Sequence, residues 1–177
     1  MLVQVRTASS PRDLDEARRL IRGLLTWQRQ RPPEVQELVE AYFDEDDFER
    51  ELRELPGEYA PPGGELLIAE VDGHVVGVVA SHGIGDDACE MKRMFVETSA
   101  HGRGVGRALA AELIDRARAA GYRAMFLDTS RGQTAAIGLY RSLGFVEVPP
   151  YTEVNDVLRA GMLYFRLDLS GPAAPVK

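Results

Sequence analysis

Three glycines at alternate positions, in His101-Gly102-Arg103-Gly104-Val105-Gly106-Arg107, are the part of this 177-residue sequence most ready for chemistry. They fall between a strand-like run and a helical one, where unpaired backbone N–H groups and the positive end of a helix dipole converge on an anion. Glycine at alternate positions lets the backbone take left-handed angles and turn several N–H groups inward as a nest. Arg103 and Arg107 add positive charge to such a site. A plain strand-to-helix turn rarely needs three glycines. A P-loop requires Gly-Lys followed by Ser or Thr, and the sequence has none. A dinucleotide fingerprint needs its third glycine three residues after the second, where Arg107 stands.

The elements that must position this loop follow from periodicity. Leu2 to Arg6 alternates as a short half-buried strand. Ser10-Pro11-Arg12-Asp13 starts a helix, with Ser10 as cap and Pro11 at the first helical position, and Leu14, Ala17, Ile21 and Leu24/Leu25 form its apolar stripe. Val35, Leu38, Val39 and Tyr42 recur at helical spacing after Pro32-Pro33, and Phe48, Leu52 and Leu55 give a third helix ended by Pro56-Gly57. The acidic run Asp44 to Asp47 suits the solvated start of that third helix, the alternative being a wall near an acceptor amine. From Glu65 the period changes: Leu66–Val71 and His74–Ser81 flank Asp72-Gly73 as a hairpin, and Ala88–Val96 follows as a third strand. After the glycine loop come a helix ending at Gly121, a strand over Ala124–Thr129, a helix over Thr134–Leu143, and strands at Phe145–Val148 and Met162–Leu169. Antiparallel hairpins followed by alternating helices and strands predict an α/β (α+β) fold with a mixed, mainly antiparallel sheet. Residues 1–170 read as one domain and residues 171–177 as a flexible tail.

Composition narrows the function classes. With 45% hydrophobic and 28% charged residues the chain is an ordinary globular sequence. A net charge of −7 argues against a duplex nucleic-acid partner, which demands a surplus of Lys and Arg. The single Cys89 cannot form an internal disulfide, no apolar stretch approaches membrane-spanning length, and the start MLVQVRTASS lacks signal-peptide form, so the expected location is cytoplasmic with no membrane partner.

Taken with other segments, the loop resembles the GNAT superfamily of N-acetyltransferases. Its pyrophosphate motif is Arg or Gln, two residues, Gly, one residue, then Gly or Ala. Here it reads His101-Gly102-Arg103-Gly104-Val105-Gly106, with His101 a departure that implies weaker or pH-sensitive cofactor binding. Cys89 to Val96, Leu127-Asp128-Thr129, Ala135 to Phe145 and Pro149-Pro150-Tyr151 also look like a bacterial branch of this superfamily, closely over residues 65–169 and loosely before. The resemblance implies six to seven strands, splayed between two central parallel strands, and acetyl-CoA as co-substrate with no metal. The edge of Met94, Phe95 and Val96 would pair with pantetheine and offer an amide to the thioester carbonyl.

Tyr140 matches the tyrosine that protonates the leaving thiolate in many relatives, with helix-to-sheet packing as its other reading. Glu90 stands where relatives place a carboxylate that deprotonates the amine through water; an ion pair with Lys92 or Arg93 is equally open, and Glu97 and Asp128 are weaker alternatives. Alternation puts Glu90 on one face with Lys92 and Met94 unless a bulge intervenes. Gln133 replaces an Asn that touches the cofactor, and Tyr151 is expected at the acceptor pocket or at a strand edge. His74 and His82 read as surface residues, and Cys89 as a small core residue.

The expected activity is acetyl transfer to a primary amine of a small molecule or peptide, by direct attack in a ternary complex, from a monomer or homodimer. A catalytically silent acyl-CoA-binding regulatory domain and a structural domain stand as the alternatives. The sequence does not name the acceptor.

Overall fold

In the computed structural model, which describes residues 2–171, seven strands form one sheet: β1 (Val3–Thr7), β2 (Glu65–Val71), β3 (His74–Gly83), β4 (Ala88–Val96), β5 (Ala124–Ser130), β6 (Val146–Val148) and β7 (Met162–Asp168). Six helices flank it: α1 (Pro11–Arg29), α2 (Pro33–Tyr42), α3 (Glu45–Glu54), α4 (Val105–Ala119), α5 (Thr134–Ser142) and α6 (Asp156–Gly161). The strand order is β1-β2-β3-β4-β5-β7-β6, and every neighbouring pair is antiparallel except β4 with β5. The mixed, mainly antiparallel sheet expected from the sequence is therefore present, with the parallel pair at its centre. Most of the tail assigned to residues 171–177 lies outside the described residues.

Short-range chemistry sets most element limits. Ser10 and Asp13 form a capping box at the start of α1, and Asp13 also takes two hydrogen bonds of 2.8 Å from Arg6 of β1. The β2–β3 turn has φ of 52° at Asp72 and 82° at Gly73, as a two-residue hairpin of matching twist requires. Asp44 caps α3 through the Asp47 N–H at 2.9 Å, so the acidic run is the exposed first turn of that helix. α6 is not anticipated by the sequence reading: six residues are too few to show a period, and Asn155 supplies its cap.

The sheet carries a core on each face. One gathers α4, α5 and the inward side chains of β4, β5 and β7, including Leu109, Leu113, Met125, Leu127 and Phe165. The other gathers α1 to α3 over β2 and β3, including Leu20, Ile21, Leu52, Ile68 and Val78. No described helix is long and apolar enough to cross a membrane.

Two irregularities in β4 shape the site. Its pairing with β5 covers only Ala88–Glu90 against Ala124–Phe126, after which the strands part. On its other edge, Val78 pairs with Phe95 and Ala80 with Lys92, so β4 spends one extra residue in a bulge, where Arg93 takes φ 58°. The extra residue reverses the alternation. Lys92 and Arg93 both turn toward α2 and α3, while Met94 packs with the α4 side and Phe95 with the α1 side. Glu90 and Met94 thus lie on opposite faces, as the bulge condition allowed.

Candidate active site

Where β4 and β5 part, two spaces lie side by side. A groove of ≈ 470 Å³ runs along Met94, Phe95 and Val96, past His101 to Arg107, and along the start of α5 at Gln133 to Ala136. A cavity of ≈ 90 Å³ lies between β4, β5 and α2, with Val39, Tyr42, Lys92, Asp128 and Tyr140 in its walls. Leu24, Met94 and Gln133 line both, which places them at the junction.

The far end of the groove presents backbone N–H groups at a helix N-terminus. Gly102 and Gly104 have φ of 73° and 78°, and Gly104 caps α4 without any side-chain hydrogen bond. The first helical bond there joins the Ala108 N–H to the Gly104 carbonyl at 3.0 Å, so the N–H groups of Val105, Gly106 and Arg107 have no intrahelical acceptor. A Cβ on Gly102 or Gly104 would meet nothing within 4 Å, so the space beside the loop is open to a ligand. Gly106 differs: its φ is not positive, and a Cβ there would sit 3.5 Å from Leu139, so this glycine serves the close approach of α5.

The charged side chains of the loop are partly engaged elsewhere. His101 turns back, with Nε2 2.9 Å from the Val96 carbonyl. Arg103 reaches Asp72 in the hairpin turn at 3.1 Å and does not line the groove. Arg107 does line it, while donating to Ser142 Oγ at 2.7 Å. Trp27 of α1 and Arg31, two residues past that helix, also line the groove, the guanidinium 4.9 Å from the indole ring centre. Neither residue is legible as a site residue in the sequence, because nothing local indicates that the end of α1 and the turn after it face the loop.

At the other end stand the groups able to move protons. Tyr140 is buried near the end of α5, and Gly144 and Phe145 close that helix by donating to the Arg141 and Tyr140 carbonyls, each at 3.1 Å. Burial, and then the charge of Asp128, push its phenol well above the usual range, so it stays protonated. Asp128 faces the cavity from β5 and accepts a 2.9 Å hydrogen bond from the Tyr42 hydroxyl. Burial raises it to about 6, and the charge of Glu90 adds to the rise against the opposing pull of Tyr42, Lys92 and Arg93.

Glu90 is differently placed. Its Oε2 lies 2.9 Å from His82 Nε2, and its Oε1 accepts a 2.7 Å hydrogen bond from Tyr151. Burial would raise it, but those two contacts and the charge of Lys92 hold it below the usual carboxylate range. It pairs with neither Lys92 nor Arg93, whose guanidinium instead grips Glu51 at 2.8 and 2.6 Å. Neither Glu90 nor Tyr151 is among the cavity walls; the Tyr151 ring lies 4.8 Å from Phe126 and 5.8 Å from Tyr164. Glu97 is paired with Arg19. Cys89 is fully buried, its thiol pushed up to about 12 by burial. Among the described residues no group of three or more His, Cys, Asp and Glu is placed to hold a metal.

The family model described as Acetyltransferase (GNAT) family matches residues 19–145, more than half of the chain. An uncharacterized N-acetyltransferase of Schizosaccharomyces pombe is 31% identical over 173 residues, covering 95% of this chain and 96% of that protein. The N-acetylaspartate synthetase of Rattus norvegicus is 38% identical over 86 residues, but these span only 48% of this chain and 29% of that protein. Among solved structures, the PaiA N-acetyltransferase from Thermoplasma acidophilum in complex with coenzyme A superposes with a TM-score of 0.70 at 17% identity, covering 95% of this chain and 99% of that one. Its likeness is one of fold, and it has the same architecture as the sheet described above. With the family model and a full-length relative in agreement, the chain belongs to the GNAT acetyltransferase family.

Proposed function

We propose that the chain transfers the acetyl group of acetyl-CoA to a primary amine by direct attack in a ternary complex. One observation carries this reading: the groove that holds a helix N-terminus with N–H groups lacking intrahelical acceptors adjoins the cavity walled by Asp128 and Tyr140, the two sharing Leu24, Met94 and Gln133. The coenzyme A named with the PaiA structure supports the choice of cofactor.

Acetyl-CoA supplies an acyl group activated as a thioester. The N–H groups of Val105, Gly106 and Arg107 would hold its pyrophosphate, with the Gly102 and Gly104 turns keeping side chains out of the way. The edge of β4 at Met94 to Val96, left unpaired where β5 departs, would take the pantetheine arm, and Gln133 would touch it from α5. Met94 at the junction would offer its amide to the thioester carbonyl.

Asp128 serves as the base that relieves the incoming ammonium of its proton. It faces the cavity and is raised toward neutrality, whereas Glu90 has both oxygens engaged and is held low. In this reading Glu90 anchors His82 and Tyr151. As the new C–N bond forms and the C–S bond breaks, the Tyr140 hydroxyl delivers its proton to the departing sulfur, and its phenolate takes the second proton that the acylated nitrogen sheds.

The test is release of free thiol from acetyl-CoA across a library of primary amines, with binding of coenzyme A followed separately by melting temperature. Amine-dependent release is expected. Binding without turnover of any amine would favour the silent acyl-CoA-binding domain, and loss of binding altogether would favour a structural role.

A further inference from the structure

We infer that the acceptor is a small amine that also carries a carboxylate, an amino acid or a similar zwitterion, seated with its carboxylate on Lys92. The inference rests on the acetyl-transfer reading and goes beyond it by naming the substrate class.

Three charged residues line the cavity: Lys92, Arg93 and Asp128. Arg93 is already satisfied, bonded twice to Glu51 and packed near the rings of Phe43 and Phe48 at 5.2 and 5.6 Å. Asp128 accepts from the Tyr42 hydroxyl through Oδ1, and its Oδ2 accepts no hydrogen bond among the described residues. Lys92 makes no hydrogen bond or ion pair among the described residues; its ammonium lies 6.0 Å from the centre of the Tyr42 ring. Its charge reaches Asp128, Glu90 and Glu51 only through space. The bulge at Arg93 is what brings Arg93 onto the same face of β4 as Lys92.

Consider what each kind of acceptor would do on filling this space. An apolar amine would strip water from the Lys92 ammonium and give it no acceptor in return, at the cost of a buried unpaired charge. A diamine would add a second cation beside it. A carboxylate would form a charge-assisted hydrogen bond with Lys92, while the ammonium of the same molecule meets Asp128. The volume of ≈ 90 Å³, roofed by Val35, Leu38 and Val39 of α2, suits a molecule of a few heavy atoms.

Turnover of matched sets tests this: each amino acid against its amide and its decarboxylated amine, with wild-type protein and Lys92→Met. Wild-type kcat/KM should favour the carboxylate-bearing member by about 10- to 100-fold, the usual range for one charge-assisted contact. Lys92→Met should bring that ratio close to one, and Lys92→Arg should restore part of it, with the melting shift from coenzyme A retained in both. Equal or better use of amides and simple amines by the wild type would overturn the inference, as would an unchanged ratio in Lys92→Met. If coenzyme A binds but no compound turns over, calorimetric titration of the same sets into the coenzyme A complex decides, and binding that ignores the carboxylate overturns it. Absence of a coenzyme A shift would instead sink the acetyl-transfer reading itself.

Discussion

The phenol of Tyr42, in the last turn of α2, donates a 2.9 Å hydrogen bond to Asp128 on β5, tying the roof of the cavity to its floor. The contact holds a buried carboxylate by one oxygen, the other accepting no hydrogen bond among the described residues. Burial then lifts its proton affinity to about 6, near the pH at which a base is useful.

That value predicts an acidic limb in kcat/KM near pH 6 belonging to Asp128. Asp128→Asn should remove the limb and lower the rate by about 10²–10⁴-fold. Glu90→Gln should keep it but move it to lower pH, because Glu90's charge is one of the causes that raise Asp128. A limb that survives Asp128→Asn and vanishes in Glu90→Gln would return the base role to Glu90.

The same shift has a consequence for stability. A carboxylate whose folded pKa is raised contributes stability that is fully present below its unfolded pKa, near 3.8, and lost as pH rises through about 6. Asp128→Asn, which cannot ionise, should therefore be more stable than wild type at pH 8, by up to roughly 2–3 kcal/mol for two pKa units, and nearly equal at pH 4. Thermal melts across that range check it; a variant no more stable at pH 8 than at pH 4, relative to wild type, would mean that the buried charge costs little.

Tyr140→Phe removes only the hydroxyl from a side chain whose ring sits 5.9 Å from Phe145 and 6.5 Å from Phe165. The ring packing stays, so the fold and the coenzyme A melting shift should survive while turnover falls by about 10²–10⁴-fold. Full activity in the variant would move the proton donor elsewhere, with water the next choice.

At the anion end, coenzyme A at about 100 times its dissociation constant should stabilise the native protein by about 2.7 kcal/mol. Gly104→Val should abolish the shift, because a β-branched residue resists φ of 78° and its side chain would stand in the open space beside the helix N-terminus. Circular dichroism must first show the variant folded. Dephosphorylated pantetheine should shift the wild type far less, and an equal shift would place the affinity in the groove alone.

The sequence by itself determined whatever depends on neighbours a few residues away. The Ser10 cap of α1, the Asp72-Gly73 hairpin, the helix stops at Gly121 and Gly144, and the glycine loop at the start of α4 are all local solutions to hydrogen bonding and φ, and the structure has each of them. Which carboxylate could serve as a base was not legible in this way. Glu90 meets His82 eight residues away and Tyr151 sixty-one residues away, and Asp128 meets Tyr42 across eighty-six. The faces of β4 were equally hidden, since the bulge at Arg93 is held by a distant Glu51 and no residue type around it announces an extra step. Proton affinity and side-chain direction at the site depend on burial and on partners brought together by the sheet and by α2, so only the tertiary structure decided them.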